Sequence, residues 1–151
     1  MEKENLNVYE MAHKFKKNHP GGIAWRIDKH CRVIEEHLNP GEKIIYVFCG
    51  QKNDKWYDIF MSCVVALTNK RILIAQDRVV WGYFLTSITP DLYNDLFVYR
   101  GLLFGKIIID TVKEEVTITN LPKSALTEIE TYISELMMNQ KRKYGINRTT
   151  K

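Results

Sequence analysis

No stretch of this 151-residue chain holds the roughly 18 consecutive apolar residues that a membrane-spanning helix needs. Its opening run, MEKENLNVYEM, lacks the apolar core of a signal peptide. Those two absences predict a cytoplasmic protein. Cysteine is scarce: Cys31, Cys49 and Cys63 are odd in number and far apart, each set in an apolar stretch, with no C-x-x-C pair. Buried free thiols are therefore expected. G-x-S-x-G, Walker and G-x-G-x-x-G patterns are missing too, which excludes the usual nucleophile elbow and phosphate cradles. His19-Pro20-Gly21-Gly22 is too short for such a cradle and follows a helical pattern instead of a strand. Asp54 and Asp58 flank aromatic residues but have no partner base. No catalytic residue, and hence no enzyme or small-molecule substrate, is expected.

Metal-ligand spacing is absent as well. His30 and His37 stand seven apart on one helical pattern, where a two-ligand helix uses a separation of four. Neither they nor the nearby Cys31 and His19 form a site, and the histidines are expected on a solvated helix edge. No metal and no cofactor are expected. Acidic residues are missing from one end of the chain: between Asn139 and Lys151 every charge is positive (Lys141, Arg142, Lys143, Arg148, Lys151). Taking those five charges from the formal +4 leaves −1 for the remainder. The basicity belongs to a tail, so the folded part does not carry the positive face that nucleic acid would need.

What is there is organised around residues 59–75, IFMSCVVALTNKRILIA. Two β-rich runs meet at Thr68-Asn69-Lys70-Arg71 and predict a hairpin, the first run apolar enough to be buried on both faces. The chain before it has helical period. Val8, Met11, Ala12 and Phe15 form one face, with Asn7 and Glu10 spaced as an N-cap box. Ile23, Ile27, Cys31, Ile34 and Leu38 form a second face, ended by Asn39-Pro40-Gly41. Residues 1–38 are therefore a helical hairpin whose apolar faces require a partner, and the following domain is the expected one.

After Pro40 the period becomes that of strands. Ile44 to Cys49, the central hairpin, Val79 to Ile88 with Gly82 inside it as a bulge, Leu96 to Arg100, Lys106 to Asp110 and Val116 to Thr119 make about seven short strands. Leu126, Ile129, Ile133 and Leu136 then mark one closing helix, with Pro122 in its first turn. Beyond Asn139 the chain is polar and patternless, and disorder is expected. The domain reading is a helical hairpin over 1–38, a barrel over 39–138 and a basic tail over 139–151.

Seven strands closed by one helix is the order of a pleckstrin-homology-like barrel. LTNKRILI resembles the hairpin of the bacterial PH domains of the YokE-like type. GLLFGKIIIDTVKEEVTITNLPK is similar to that family's glycine-framed turn, strand pair and entry into the last helix. The likeness runs from about Leu38 to Met138. It implies a mainly β fold with α elements, a PH-like seven-stranded barrel capped by a C-terminal helix and preceded here by the helical hairpin. It also implies homo-oligomers built through barrel edges in some members. In eukaryotic relatives a phosphoinositide head group is held by basic residues of the first β-β loop and the next strand. Here the loop offers Lys52 and Lys55 and the strand IFMSCVVAL offers none, too few charged contacts for a multiply phosphorylated ring.

The resulting expectation is a non-enzymatic interaction module that self-associates or docks a protein. A second reading is weak attachment to an anionic membrane surface through Lys141, Arg142 and Lys143, each worth about 1 kcal/mol there. Lys70 and Arg71 are expected in a solvated turn. Trp56 and Tyr57 are loop aromatics available to a contact. In GLLFG, alternation with Ile107 and Ile109 predicts Leu103 inward, leaving Leu102 for an interface and Phe104 for an interface or for cover by the N-terminal hairpin.

Overall fold

A computed structural model of the chain describes residues 6–21, 26–52, 62–78 and 81–149, without the side chains of 141 and 143–149. Two helices, α1 (Val8–Asn18) and α2 (Ile27–His37), precede seven strands. The strands are β1 (Ile44–Gln51), β2 (Ser62–Thr68), β3 (Ile72–Asp77), β4 (Tyr83–Ile88), β5 (Tyr93–Arg100), β6 (Phe104–Thr111) and β7 (Glu115–Pro122). A 3₁₀ turn, Lys123–Ala125, leads into α3 (Leu126–Thr149). All strand pairs are antiparallel, in the order β4-β3-β2-β1-β7-β6-β5. A four-stranded half (β1–β4) and a three-stranded half (β5–β7) meet where Gln51 pairs with Thr119. The sheet curls into a half-barrel with β4 and β5 at its two ends, and the PH-like order expected from the sequence is present.

Asn120 takes a left-handed φ of +54 beside the join, a conformation that asparagine tolerates better than most residues. The β6–β7 register shifts there, between Gly105↔Leu121 and Ile107↔Ile118. This bulge bends β7 from one half toward the other. Its side chain, with Thr119, is tied to Gln51, which is fully buried: Asn120 Nδ2 donates to Gln51 Oε1, and Thr119 Oγ1 donates to the Gln51 carbonyl at 3.3 Å.

Both expected helices are present, the second running from Ile27 to His37 with Leu38 just past its end, while Ile23 lies outside the described residues. Asn7 and Glu10 form both bonds of a capping box, which satisfies two backbone donors at the start of α1. α1 packs on β1, and α2 on β3 and β2. That second layer explains why every residue of β2 is buried: one face of the strand lies under the hairpin and the other lines the barrel. α3 closes the barrel with Leu126, Ile129 and Ile133 fully buried.

Several local readings are corrected. Gly82 (φ +66) lies in the β3–β4 turn, where Arg78 N–H donates to its carbonyl at 3.0 Å, and not inside a strand. Pro122 ends β7 instead of starting the helix. The expected disordered tail is helical as far as Thr149. Gln, Lys and Arg are good helix formers even without an apolar stripe, and Gln140 Nε2 fastens the helix to the Asn69 carbonyl at 2.7 Å. His30 is not on a solvated edge. It is 1% exposed and accepts the Asp77 backbone N–H on Nδ1 at 2.7 Å.

Arg71 departs furthest from expectation. Its side chain is 16% exposed and that of Glu42 is 0% exposed. Arg71 Nε donates to both Glu42 oxygens at 3.1 Å, one terminal nitrogen to Ser87 Oγ at 3.1 Å, and the other to the His37 carbonyl at 2.9 Å. One guanidinium thus ties the end of α2, the lead into β1 and strand β4 to the β2–β3 turn. The planar fork makes this possible, since five donors leave it in fixed directions. Beside it, Thr68 Oγ1 accepts the N–H groups of Lys70 and Arg71, and Asn69 Oδ1 accepts that of Lys43. The LTNKR run is the knot of the four-stranded half.

Candidate interaction surfaces

Among the described residues β4 and β5 each pair with one strand, β3 and β6, so each is a sheet edge, with backbone donors and acceptors along its outer side. Both carry exposed aromatics. At the β4 end these are Trp81 (79% exposed), Tyr83 and Phe84, with the Arg78 guanidinium 5.0 Å from the Phe84 ring centre. On β5 they are Phe97 and Tyr99, with Lys106 Nζ 5.3 Å from the Tyr99 ring centre. Leu96 and Val98, between them, turn toward the core. At the other end of β5, burial and then Asp95 push the Tyr93 phenol up to about 12.

The β5–β6 connection projects beyond these edges. Arg100 pairs with Gly105, and Gly101 N–H donates to the Phe104 carbonyl at 2.9 Å, leaving Leu102 and Leu103 as a two-residue loop. Leu102 is 89% and Leu103 75% exposed. The inward reading of Leu103 is therefore corrected: the pleat that carries Ile107 and Ile109 inward starts only at Phe104, so alternation does not extend to Leu103. Phe104 is half-buried. Trp56 and Tyr57 lie outside the described residues. Lys141, Arg142 and Lys143 fall on α3, with Arg142 exposed.

The sequence of residues 38–135 matches the family model of the bacterial PH domain. The chain belongs to that family. Two solved structures resemble this PH domain. One is the pleckstrin homology domain from Shewanella amazonensis SB2B, at 12% identity and a TM-score of 0.54, covering 73% of this chain and 96% of that one. The other is a DUF1696 family protein with a pleckstrin-homology domain from Shewanella loihica PV-4, at 10% identity and a TM-score of 0.47, covering 73% and 95%. At these identities the first likeness speaks to fold alone. No curated protein matches the sequence. α1 and α2 lie before the matched stretch.

Among the described residues of this PH domain, two groupings bear on covalent chemistry, the cysteines and a Ser124–His19–Glu128 chain. Burial pushes the thiols of Cys31, Cys49 and Cys63 up to about 12, with Cys49 adding to the rise at Cys31 and Cys63 to that at Cys49. They are neutral near pH 7, and the thiolate is the nucleophile. Ser124, His19 and Glu128 form a chain with the order of a hydrolase triad. His19 Nδ1 is 2.9 Å from Ser124 Oγ, and Nε2 is 2.7 Å from Glu128 Oε2. Two grooves of about 210 Å³ flank His19, yet Ser124 lines neither, so a carbonyl held in either would not meet the hydroxyl. The chain is a clip between α1 and α3. Lys52, a candidate for head-group contact, donates instead to Thr86 Oγ1 at 2.8 Å. Among the described residues no three His, Cys, Asp or Glu side chains gather as a metal site, and no helix is long and apolar enough to cross a membrane.

The raised thiols carry a pH prediction. The unfolded chain ionises its cysteines near pH 9 and the folded chain only near 12. Their contribution to stability is fully present below pH 9 and is lost as pH rises toward 12, with a slope approaching about 1.4 kcal/mol per pH unit for each thiol. Urea unfolding at pH 7, 9 and 10.5 measures it. Equal stability of the wild type and a Cys63→Ala chain across that range, relative to pH 7, would contradict the assignment for Cys63.

Sequence reasoning missed Trp81, Tyr83, Phe84, Phe97 and Tyr99. Alternation in YNDLFVYR separates Phe97 and Tyr99 from Leu96 and Val98, which was a usable signal. That the strand ends a sheet depends on strand order, which alternation does not encode.

Proposed function

We propose that this protein is a non-enzymatic interaction module in which copies of the chain associate edge to edge through β4 and β5. The observation that carries the reading is β5: eight residues long, at the end of the sheet among the described residues, and exposing Phe97 and Tyr99 where natural edges more often carry lysine, proline or a covering element. A second copy suits this edge, because β4 supplies a complementary edge strand with its own aromatics. The buried neutral thiols, and a Ser124–His19–Glu128 chain whose serine lines neither groove beside it, support a binding role over a catalytic one.

Light scattering on a size-exclusion column tests it with the whole chain. The wild type is expected to elute at a multiple of its 17.8 kDa mass. Phe97→Ser with Tyr99→Ser is expected to move it toward the monomer while leaving the far-UV spectrum unchanged and lowering the melting temperature by only a few degrees, since the two side chains are 44% and 49% exposed. A strict monomer at concentrations of several hundred micromolar, or a double variant of unaltered mass, would overturn the reading.

A further inference from the structure

The β5–β6 tip calls for an explanation that the fold does not supply. Leu102 and Leu103 fill a two-residue hairpin loop, a place where Gly, Asn and Asp are the usual residues. Neither leucine has a positive φ, and neither is needed for the core, at 89% and 75% exposure. The loop is nevertheless built tightly. A Cβ on Gly101 would stand 2.6 Å from the Phe104 carbonyl oxygen, so glycine there holds the turn closed and the leucines out.

Charge is sorted along the same three strands. Arg100, Lys106 and Lys123 surround the tip, and Lys123 Nζ donates to the Leu102 carbonyl at 2.9 Å. Arg100 donates to Thr127 Oγ1 at 2.7 Å. Among the described residues none of these three cations is in an ion pair. The opposite end of the strands holds Asp95, Asp110, Glu114 and Glu115, with Lys113 the one cation among them. About five residues of strand, roughly 17 Å, separate the basic end from the acidic one.

From this juxtaposition we infer that the β5–β6 tip docks on an anionic membrane surface, Leu102 and Leu103 entering the headgroup–acyl boundary while Arg100, Lys106 and Lys123 meet lipid phosphates. A protein partner fits less well. Two leucines on a convex tip present a few hundred Å² at most, short of the roughly 800 Å² per partner of a stable protein interface. A bilayer interface needs no complementary groove: it accepts protruding apolar side chains, and the cations around them gain from anionic lipid. The tip lies at the start of α3, whereas Lys141, Arg142 and Lys143 lie about 16 residues or 24 Å further along that helix, so the two basic regions are separable.

Flotation of the full-length protein with phosphatidylcholine vesicles, with or without 30 mol% phosphatidylglycerol, is the test. The wild type is expected to float only with the anionic vesicles and to be released by high salt. Leu102→Ser with Leu103→Ser is expected to weaken binding tenfold or more, with melting temperature and oligomer mass unchanged. Neutralising the tail (Lys141→Gln, Arg142→Gln, Lys143→Gln) is expected to leave most of the binding in place. The inference is overturned if the wild type does not float, if the tip variant floats like the wild type, or if only the tail variant loses binding. A tip variant that changes oligomer mass instead would make Leu102 and Leu103 a contact between copies, which also overturns it.

Discussion

Arg71→Ala is expected to cost this protein about 3–5 kcal/mol, the range for removing one partner of a buried ion pair, and to lower its melting temperature by roughly 10 °C or more. The reason lies in what is left behind. Glu42, whose side chain is wholly buried, loses the guanidinium that meets both its oxygens. The His37 carbonyl and the Ser87 hydroxyl lose their donor in the same step. Arg71→Lys should recover little, because one ammonium cannot reach three partners that a planar fork reaches together. Adding Glu42→Ala to Arg71→Ala should cost less than the sum of the two single changes, since it removes the stranded charge. Urea denaturation of the four variants measures all of this. A loss below 1 kcal/mol for Arg71→Ala would mean that water replaces the arginine and that the knot is not structural.

Gly105 is the second position where a large effect is expected. It begins the inward alternation of β6 directly beneath Leu126, the first residue of α3. A Cβ there would overlap Leu126 Cδ1, approach Cδ2 at 2.8 Å and stand 2.9 Å from the Tyr99 carbonyl oxygen. The leucine tip can rotate away, but the carbonyl belongs to the paired strand and cannot. Gly105→Ala is expected to destabilise by about 1–3 kcal/mol, as overpacked core sites do, and Gly105→Val by more, with α3 displaced from the barrel mouth. Near-UV circular dichroism together with urea melts reads both effects. A Gly105→Ala chain as stable as the wild type would show that the helix has room to move.

These two residues also show where sequence reasoning reaches and where it stops. Signals confined to one element were legible: the Asn7–Glu10 box, the LTNKR turn, the alternation of Ile107, Ile109, Val116 and Ile118, and the stripe of α3. The glycine at 105 was legible as a frame for a turn, but its closeness to Leu126 was not, because that is a distance between elements. Arg71 was misread for the same reason. Its partners Glu42, His37 and Ser87 come from three other segments, and a basic residue beside a turn is by default in water. His30 was misplaced because its partner is the backbone of Asp77, 47 residues on. Leu103 failed differently: alternation was carried one residue past the strand, into a loop that does not obey it. Of the residues expected to make contacts, Leu102 and Phe104 are placed by the fold, and the aromatic edges of β4 and β5 were invisible until strand order was known.

The single-pair join between Gln51 and Thr119 sets the timing of assembly. Those residues are 68 apart in the chain, whereas β1 to β4 pair with near neighbours in sequence. During synthesis the helical hairpin and the first four strands have everything they need to assemble once residue 88 has emerged. The outer edge of β1 does not: its partner is made later still. Until β7 arrives, the Gln51 end of β1 therefore has no strand beside it on that side, and an unpaired strand end is the kind of surface that recruits chaperones or sticks to a neighbouring chain. Closing a loop of that length is also a slow step compared with zipping adjacent strands. The narrowest seam in the finished sheet thus cannot close until β7 has been made.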